Sequence, residues 1–373
     1  MSAQADEIRQ AVRRYAAEQL APHAARWDRE KEFPRQALQG LAAMGLFGVA
    51  IPEQWGGAGL DYTALAVACE EMAAGHCAIS TIVSVNNLVA GILAGYGNDQ
   101  QKNQFLKPLA QGKLVGAFAL TEPAVGSDAS AITTHAERKG DGYVLNGVKQ
   151  FITSGKNADI AVVFAVTDKG AGKKGISAFV VPTKTPGYIV ARVEEKTGQH
   201  ASDTAQIVLE NCKTQELLGN EGQGYRIALA NLESGRINVA AQATGVARAA
   251  LEAAIAYARE RTSMGKPLIG HQAVNVRLAD MATQVEAARQ LYLHAAALRD
   301  AGKPCIKEAS MAKLFASEAA EEVCSAAIQI HGGYGYVADF PVERIYRDVR
   351  VCQIYEGTSD IQRLVIGRAL EEG

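Results

Sequence analysis

One segment near the C-terminus, IYEGTSDIQR, combines residue types that could remove a proton from a bound molecule. A single carboxylate, Glu356, follows an apolar pair and precedes Gly357, whose lack of a side chain lets the backbone approach a ligand closely. Thr358 or Ser359 is expected to cap a helix over residues 361–370, and a carboxylate beside a helix N-terminus is stabilised as an anion. On this segment alone, Glu356 is either a general base or a first-turn glutamate that complements the helix dipole.

Two further segments combine an aromatic side chain, hydroxyl groups and a glycine at the end of a predicted strand. They are FALTEPAVGSD, residues 118–128, and FITSG, residues 151–155. Backbone amides around a glycine, beside hydroxyl groups, suit a planar polar ring with alternating donors and acceptors, such as the pyrimidine edge of a flavin. Read alone, the first segment is an ordinary turn, because Glu-Pro and Gly-Ser-Asp occur in turns of any function. Phe151 could equally be an aromatic residue of a core strand.

Charged residues in the predicted C-terminal helices could hold an anion. Arg236 lies early in a helix, where a buried guanidinium needs an anionic partner. Arg261 could bind a pyrophosphate through two parallel hydrogen bonds, although a charged helix end explains it as well. The segment QIHGGYGY, residues 329–336, ends a helix with glycines and is by itself an ordinary glycine C-cap.

Together these segments resemble the acyl-CoA dehydrogenase family, and matches extend from residue 51 to residue 368. YEGTSDIQR resembles the C-terminal signature of that family, in which the glutamate is the catalytic base. The resemblance implies that Glu356 removes the pro-R α-proton of an acyl-CoA thioester while the β-hydrogen leaves as a hydride to N5 of FAD. A minority branch of the family carries its base at the position that matches Gly235. Because Gly235 has no carboxylate, Glu356 is the only candidate for the base at the two locations that the family uses.

The resemblance also assigns residues to the cofactor and the substrate. Those implied for FAD, with no subunit specified, are Phe118, Ala119, Leu120, Thr121, Gly126, Ser127, Phe151, Ile152, Thr153, Thr358, Ser359 and Asp360. Those implied for the FAD of a neighbouring subunit are Arg261, Ser263, Met264, His271, Gln272, Gln329, Ile330, His331, Gly332 and Gly333, with His331 structural rather than catalytic. Those implied for acyl-CoA are Ser127, Glu233, Arg236, Tyr355 and Gly357. The family often has Trp at the position of Phe151 and Phe at that of Met264, so ring contacts there could differ.

The chemistry implied for Glu356 is demanding, because a thioester α-C–H is far less acidic than a carboxylic acid. Two effects narrow that difference. In the family, the backbone N–H at the position of Glu356 and a ribityl hydroxyl of FAD donate to the thioester oxygen and stabilise the developing enolate. Closure of the acyl chain over Glu356 excludes water and is expected to raise the pKa of its carboxyl group toward neutrality.

Three regions with different patterns predict an α+β multidomain fold of the acyl-CoA dehydrogenase type. Residues 1–117 read as an N-terminal all-α domain, residues 118–224 as a middle β domain, and residues 225–373 as a C-terminal four-helix bundle. Short strands without intervening helices favour an antiparallel barrel or sandwich in the middle domain. Asn146 and Gly147 predict a type I′ hairpin turn there.

Composition argues against several other classes of protein. A net charge of −2 without a concentrated basic face argues against nucleic acid as a partner. The six cysteines are far apart and lack a CxxC pair, which indicates reduced thiols and a cytoplasmic location. Isolated histidines predict no metal site, and the absence of GxGxxG argues against a Rossmann-type FAD site. No signal-peptide core or apolar run of membrane-spanning length is recognised, so no membrane contact is expected.

The family resemblance also implies partners. They are an electron-transfer flavoprotein as electron acceptor and further copies of the chain in a homotetramer, a dimer of dimers. Residues 306–314 and 335–337 resemble short-chain members, which implies a pocket for an acyl chain of about four to six carbons, straight or methyl-branched. Fatty acid β-oxidation and branched-chain amino acid catabolism are the pathways expected for such substrates. The alternatives are an acyl-CoA oxidase, and an FAD-containing relative that binds acyl-CoA or DNA without dehydrogenase activity.

Overall fold

The computed structural model describes residues 3–372. Helices dominate the N-terminal third: α1 (Ala3–Tyr15), α2 (Ala24–Glu30), α3 (Arg35–Ala43), α4 (Tyr62–Gly75), α5 (Cys77–Tyr96), α6 (Asp99–Gln101) and α7 (Lys107–Ala110). Wider π-helical turns at Ala16–Leu20 and Lys102–Leu106 interrupt the helical runs at the two ends of this region. The all-α character predicted for this region is confirmed.

The pair α4 and α5 forms the buried centre of these helices. Asp61 caps α4 by accepting from the backbone N–H of Ala64 at 2.7 Å, and His76 caps α5 through Nδ1, which accepts from the N–H of Ala78 at 3.2 Å. By length and composition the 20 residues of α5 could cross a membrane, but Ser80, Thr81, Asn86 and Asn87 interrupt their sequence, so they are not an uninterrupted apolar run. Because 78% of its apolar window is buried inside the protein, core packing accounts for this composition.

The middle region is one mixed sheet: β1 (Gly116–Ala119), β2 (His135–Lys139), β3 (Gly142–Thr153), β4 (Ile160–Val166), β5 (Ile176–Pro182), β6 (Tyr188–Val193), β7 (Thr204–Thr214) and β8 (Leu217–Leu218). The strand order is β6–β7–β3–β2–β4–β5–β8, and β1 pairs with β4. The β1–β4 and β2–β4 pairs are parallel and the other pairs of this sheet are antiparallel. The predicted β domain is confirmed, but its sheet is mixed and does not close into a barrel within the described residues.

The predicted hairpin turn at Asn146 and Gly147 is wrong. The hairpin joins β2 to β3, with Lys139 opposite Gly142, and β3 continues through both residues. At this point the pairing of β3 with β7 shifts register. A Cβ on Gly147 would lie 2.7 Å from the Cα of Thr134, so the glycine serves a close strand approach at a bulge instead of a turn.

The C-terminal region contains α8 (Gly224–Glu260), α9 (Gln272–Asp300), α10 (Ile306–His331), α11 (Val342–Val349) and α12 (Ser359–Glu372), which confirms the predicted helical bundle. A short antiparallel pair, β9 (Thr262–Ser263) and β10 (Lys266–Pro267), lies between α8 and α9. Helix α8 lies between α4, α9 and α10. Its contact with α4 is close, because a Cβ on Gly245 would lie 2.1 Å from the backbone oxygen of Glu70. The sequence patterns did not indicate β2, β8 or α11, which are short or rich in charged residues.

Buried ion pairs join α4 to the bundle. Glu70 and Glu71 of α4 are each 1% exposed. Arg289 of α9 donates to Glu70 at 2.8 Å, and Arg248 of α8 donates to Glu71 at 2.6 Å. Arg13 of α1 also donates to Glu71. These contacts fix α8 against the N-terminal helices, and α5 and α8 supply two walls of the candidate site.

The six cysteines are free and buried. Among residues 3–372, no three His, Cys, Asp or Glu side chains are grouped in a way that could hold a metal ion.

Candidate active site

Glu356 lies in the turn between α11 and α12 and has a left-handed backbone. Its φ is +55°, and Gly357 follows with +87°. This conformation costs a non-glycine residue about 1–2 kcal/mol, so contacts around the turn must hold it. Gln362 donates Nε2 to the carbonyl of Glu356 at 3.1 Å and to that of Gly357 at 2.9 Å. Lys313 of α10 donates Nζ to the Gly357 carbonyl at 2.7 Å.

The carboxyl group of Glu356 is incompletely partnered. Its Oε2 is buried and has no hydrogen-bond partner among the residues that the structure describes. Burial raises the pKa of the Glu356 carboxyl to about 7, against the opposing charges of Arg236 and Lys313. The expected stabilisation of the anion at a helix N-terminus is therefore outweighed. The predicted cap is confirmed at Thr358, whose Oγ1 accepts from the N–H of Ile361 at 3.3 Å.

Gly235 of α8 faces this carboxyl group. A Cβ at this position would lie 2.5 Å from Oε2 of Glu356. The two base locations considered from the sequence are therefore opposite each other across one space. A side chain at residue 235 would collide with the carboxyl group as it stands.

Glu356 lines a cavity of about 730 Å³, large enough for a cofactor-sized ligand. The sequence-predicted residues on its wall are Phe118, Leu120, Thr121, Gly126, Ser127, Phe151, Ile152, Thr153, Arg236, Tyr355, Glu356 and Gly357. Apolar side chains of α5 and α8, among them Val85, Leu88 and Leu232, form another part of the wall. The turn, the sheet and two helices thus enclose one space beside the carboxyl group.

A bulge in β3 exposes an aromatic ring to this cavity. The pairing of β3 with β7 shifts between Lys149 and Ile152, so Gln150 and Phe151 bulge from the strand. Phe151 adopts a φ of +58° and is 62% exposed. Its ring is therefore no core aromatic, which was the alternative raised by the sequence, and it is free to stack on a planar ligand.

A buried ion pair ties the loop after β1 to β3. Lys149 is fully buried and donates Nζ to Oε1 of Glu122 at 2.8 Å. Glu122 also accepts from the backbone N–H groups of Thr133 at 2.7 Å and Thr134 at 2.9 Å. Burial acts to raise the pKa of Glu122, but Lys149 and the threonine donors outweigh it and lower that pKa to about 2. The pair holds the glycine-containing loop beside Phe151.

Comparison with known proteins identifies the family. Three family models match the chain in order: the acyl-CoA dehydrogenase N-terminal domain over residues 2–113, the middle domain over residues 117–212 and the C-terminal domain over residues 222–371. The chain belongs to the acyl-CoA dehydrogenase family.

Relatives and solved structures agree with this assignment over the whole chain. An acyl-CoA dehydrogenase of Bacillus subtilis (strain 168) is 47% identical over 369 residues, which are 98% of this chain and 97% of the relative. The mitochondrial short-chain specific acyl-CoA dehydrogenase of Rattus norvegicus is 47% identical over 362 residues, 96% of this chain and 88% of the relative. Among solved structures, butyryl-CoA dehydrogenase from Megasphaera elsdenii has a TM-score of 0.97 at 40% identity and covers 100% of this chain and 99% of its own. A chain from the structure of the electron transferring flavoprotein of Acidaminococcus fermentans has a TM-score of 0.98 at 43% identity, with the same coverage.

As a member of the acyl-CoA dehydrogenase family, the chain is an oxidoreductase with FAD as its cofactor. The side chains on the cavity wall fit such a group. The open ring of Phe151 offers a stacking surface, and Thr121 and Thr153 offer hydroxyl groups beside it. These three residues would hold the flavin.

Several residues predicted for the family site lie off the cavity wall. Ala119 is buried in β1, with 1% of its surface exposed. Glu233 forms an ion pair with Arg299 at 2.7 Å. The hydroxyl of Ser359 is buried without a hydrogen-bond partner among the described residues, and the side chain of Asp360 is exposed. Thr358 serves as the cap of α12.

A separate groove of about 590 Å³ unites the two segments predicted to serve the FAD of a neighbouring subunit. The predicted residues that line it are Arg261, Ser263, Ile330, His331, Gly332 and Gly333. His331 stacks on Tyr257 with ring centroids 4.3 Å apart, and its Nδ1 lies 2.8 Å from the carbonyl of Ala327, which gives it a packing role. The other four predicted residues lie outside the groove wall. Met264 is 92% exposed, and Gln272 and Gln329 are also exposed. Nε2 of His271 lies 2.9 Å from the carbonyl of Ser263.

Arg236 lacks the anionic partner that its burial predicts. It is 6% exposed and donates Nη1 to the hydroxyl of Ser310 at 3.2 Å, while its Nε has no partner among residues 3–372. Burial lowers the pKa of Arg236, and Glu356 and Glu233 act against that effect. Because Arg236 lines the cavity, a ligand can supply the missing acceptor.

Sequence reasoning missed a polar cluster on the cavity wall. Tyr355 donates its hydroxyl to Oε1 of Gln242 at 2.6 Å, and Gln242 donates Nε2 to the hydroxyl of Thr81. Gln242 and Thr81 are buried and line the cavity. Their only sequence signal is a polar residue inside a long apolar helix. Lys313 was missed for the same reason, since nothing in the Ala-rich α10 indicates which lysine is buried.

Proposed function

We propose that this protein converts an acyl-CoA thioester to the trans-2-enoyl-CoA, with Glu356 as the base. The observation that supports the proposal is the unpartnered Oε2 of Glu356, with a carboxyl pKa of about 7, on the wall of a ligand-sized cavity. A carboxylate with this pKa is partly ionised at neutral pH and is more basic than a carboxylate in water.

The residues of this chain handle the proton and the developing charge. Glu356 takes the α-proton, and its backbone N–H donates to the thioester oxygen on which negative charge develops. The apolar side chains of Leu88 and Leu232 exclude water from the acyl chain, which keeps the carboxylate basic. FAD held by Phe151, Thr121 and Thr153 would supply the acceptor for the hydride that leaves the β-carbon.

Glu356→Gln tests the proposal. The amide keeps the size of the side chain but has no useful basicity near neutral pH, so flavin bleaching on anaerobic mixing with a good substrate should slow by about 1,000-fold or more. FAD content and acyl-CoA affinity should be retained. Glu252→Gln, the same change at an exposed position of α8, is the matched control and should bleach at the wild-type rate. Bleaching of the Glu356→Gln variant at the wild-type rate would mean that another group takes the proton.

We propose a short acyl chain as the substrate. The support is the short-chain and butyryl-CoA names of the relatives, together with the polar cluster of Gln242 and Thr81, which limits the apolar surface available to the chain. A panel of straight and methyl-branched acyl-CoA substrates should give the highest kcat/KM at about four to six carbons. Each further CH₂ contributes about 0.8 kcal/mol of binding free energy when it is buried against apolar atoms, and the polar cluster offers no such contact to a longer chain. A maximum at about twelve carbons would refute this assignment. Such a preference would fit fatty acid β-oxidation or branched-chain amino acid catabolism.

We propose an electron-transfer flavoprotein as the electron acceptor. The support is the Acidaminococcus fermentans structure, whose chain is 43% identical to this one over its full length. Turnover with a purified electron-transfer flavoprotein should exceed turnover with oxygen alone. Peroxide formation at the full rate under air would instead favour the acyl-CoA oxidase alternative.

We propose that the second groove binds the FAD of a neighbouring subunit in a homotetramer. Arg261 lines the groove, and a guanidinium there can hold a pyrophosphate through paired hydrogen bonds. Arg261→Ala should then lose FAD and dissociate on dilution, whereas Arg259→Ala, an exposed arginine at the same helix end, should lose neither. An Arg261→Ala variant that stays a flavin-saturated oligomer would contradict this assignment.

We propose the division into residues 1–117, 118–224 and 225–373, and a cytoplasmic location. Limited proteolysis should cut first in the exposed or half-buried connections beside these boundaries, at residues 111–114 and 219–223. Cell fractionation should recover the protein with cytoplasmic markers.

A further inference from the structure

Lys313 is a buried cation beside the proposed base, and the mechanism above gives it no task. Its side chain is fully buried in α10, and its Nζ donates to the carbonyl of Gly357 at 2.7 Å. Burial of an ammonium group carries a large desolvation cost, which is normally offset by a carboxylate. Here the charge is directed at one backbone carbonyl, that of the residue after Glu356.

This carbonyl belongs to a turn that needs external support. Glu356 and Gly357 both have positive φ, and Glu356 is not a glycine. Side chains from two helices donate hydrogen bonds to the Gly357 carbonyl: Nε2 of Gln362 in α12 at 2.9 Å and Nζ of Lys313 in α10 at 2.7 Å. Gln362 also holds the carbonyl of Glu356. The peptide groups after the base are thus fixed by one neutral and one charged donor.

We propose that Lys313 is a positioning residue for the base: its hydrogen bond to the Gly357 carbonyl fixes the turn that carries Glu356, and its charge favours the ionised carboxylate. The inference rests on the proposed role of Glu356 and adds the means by which that carboxylate is oriented and its ionised form is favoured.

Charged and titratable groups from α8, from α10 and from the chain segment that forms the turn surround this pair. Arg236 of α8 and Lys313 of α10 both favour the ionised form of Glu356, against the effect of burial. The groups that face Lys313 are Glu356, Arg236, Cys352 and Glu318, and burial lowers the pKa of Lys313 to about 8. Lys313 is therefore mostly charged at the pH of about 7 at which Glu356 is half ionised.

Two variants of Lys313 separate the charge from the hydrogen bond. Lys313→Met removes both, so anaerobic flavin reduction at saturating substrate should slow by about 10- to 100-fold. The acid limb of the pH profile of the flavin-reduction rate, which reports the ionisation of Glu356, should move to higher pH by about half a unit or more. The reason is that loss of the positive charge near Glu356 raises the pKa of its carboxyl group. Lys313→Gln keeps a donor, so it should show the same shift of the limb with a smaller loss of rate. Infrared titration of the Glu356 carboxyl, assigned with Glu356→Gln, should show the same upward shift without turnover.

Two further variants provide controls. Gln362→Met removes the neutral donor to the same turn and should slow reduction without moving the acid limb. Lys307→Met removes a lysine of α10 whose side chain is 38% exposed and pairs with Glu308, and it should change neither quantity.

A wild-type acid limb and a wild-type infrared titration in both Lys313 variants would overturn the proposal, whatever their rates. Either Lys313 variant suffices for this comparison if the other does not fold. Failure of the base assignment is recognised separately: Glu356→Gln would then reduce its flavin at the wild-type rate. An inert Glu356→Gln variant combined with unaltered Lys313 variants would remove only the positioning role.

Discussion

This protein has two regions in which a buried lysine lies near a glutamate, and the pKa values of the two glutamates shift in opposite directions. Lys149 and Lys313 are both fully buried, and burial lowers the pKa of each to about 8. Lys149 directs its Nζ at Glu122, which also accepts backbone N–H groups, and despite burial the pKa of Glu122 falls to about 2. Lys313 directs its Nζ at the carbonyl of Gly357, and the pKa of Glu356, whose Oε2 lacks a partner, rises to about 7.

The difference teaches that a nearby cation does not by itself fix the charge of a buried carboxylate. Direct donors to the carboxylate oxygens do so, because they replace the hydration that burial removes. Glu122 is saturated with donors and serves as a permanent anion that ties a loop to β3. Glu356 is left short of donors, so it can exchange a proton, while the lysine near it binds the backbone.

Removal of the lysine from each region should affect stability very differently. Lys149→Met leaves the Glu122 anion buried without its cation and is expected to lower the free energy of unfolding by about 3–5 kcal/mol. Lys313 is hydrogen-bonded to a carbonyl and not to a carboxylate, and Gln362 still donates to that carbonyl in Lys313→Met, so this variant should lose about 1 kcal/mol. Urea unfolding of both variants at neutral pH compares the two costs. Equal losses would contradict the distinction drawn between the regions.

The space beside the unpartnered oxygen of Glu356 can be tested with one methyl group. In Gly235→Ala the new Cβ would lie 2.5 Å from Oε2, so the carboxyl group must move. We expect flavin reduction to slow by about 10- to 100-fold with FAD content retained, because a small displacement of a base is costly. Gly91→Ala in α5 is the control, since its Cβ would lie 3.6 Å from the nearest side-chain oxygen. A wild-type rate in Gly235→Ala would show that the carboxyl group has free room.

The two carboxylates should also contribute to stability with opposite pH dependence. The pKa of Glu356 rises from 4.5 to about 7 on folding, so its ionisation destabilises the folded state; the cost is absent below about pH 4.5 and complete above about pH 7. Glu356→Gln should therefore be more stable than wild type above pH 7, by about 1–2 kcal/mol, and equal to it near pH 4.5. The pKa of Glu122 falls from 4.5 to about 2 on folding, so its contribution stabilises above pH 4.5 and is lost as the pH falls toward 2. Glu122→Gln should accordingly destabilise the protein at neutral pH. Thermal unfolding of both variants between pH 4.5 and pH 7 tests the comparison. A change in stability of the same sign in Glu356→Gln and Glu122→Gln at neutral pH would contradict it.

Local patterns predicted the parts of the molecule that local chemistry determines. The long helices follow from apolar spacing and capping residues, and Thr358 caps α12 as its residue type indicates. The Asn146–Gly147 pair misled because the same dipeptide permits a turn or a bulge, and the close approach of Thr134, a tertiary contact, selects the bulge.

The environment of the site could not be predicted in the same way. Burial of the Glu356 carboxyl depends on α8, which is distant in sequence, and it outweighs the local helix effect that the sequence suggested. The exposure of Phe151 results from a register shift against β7. Lys313 and Gln242 resemble many other residues of long helices, so only the packed structure shows that they meet the base turn and the cavity.

The central claim, that Glu356 takes the α-proton, is tested most directly by proton exchange without hydride transfer. The ligand is an acyl-CoA analogue in which sulfur replaces the β-methylene, so no β-hydride can leave. In D₂O the wild-type holoenzyme should replace one α-proton of the bound analogue, the one on the face of Glu356, with deuterium, as followed by mass spectrometry. The Glu356→Gln holoenzyme should bind the analogue with similar affinity and leave its α-protons in place, because an amide cannot accept them. Exchange at the wild-type rate in that variant would contradict the account.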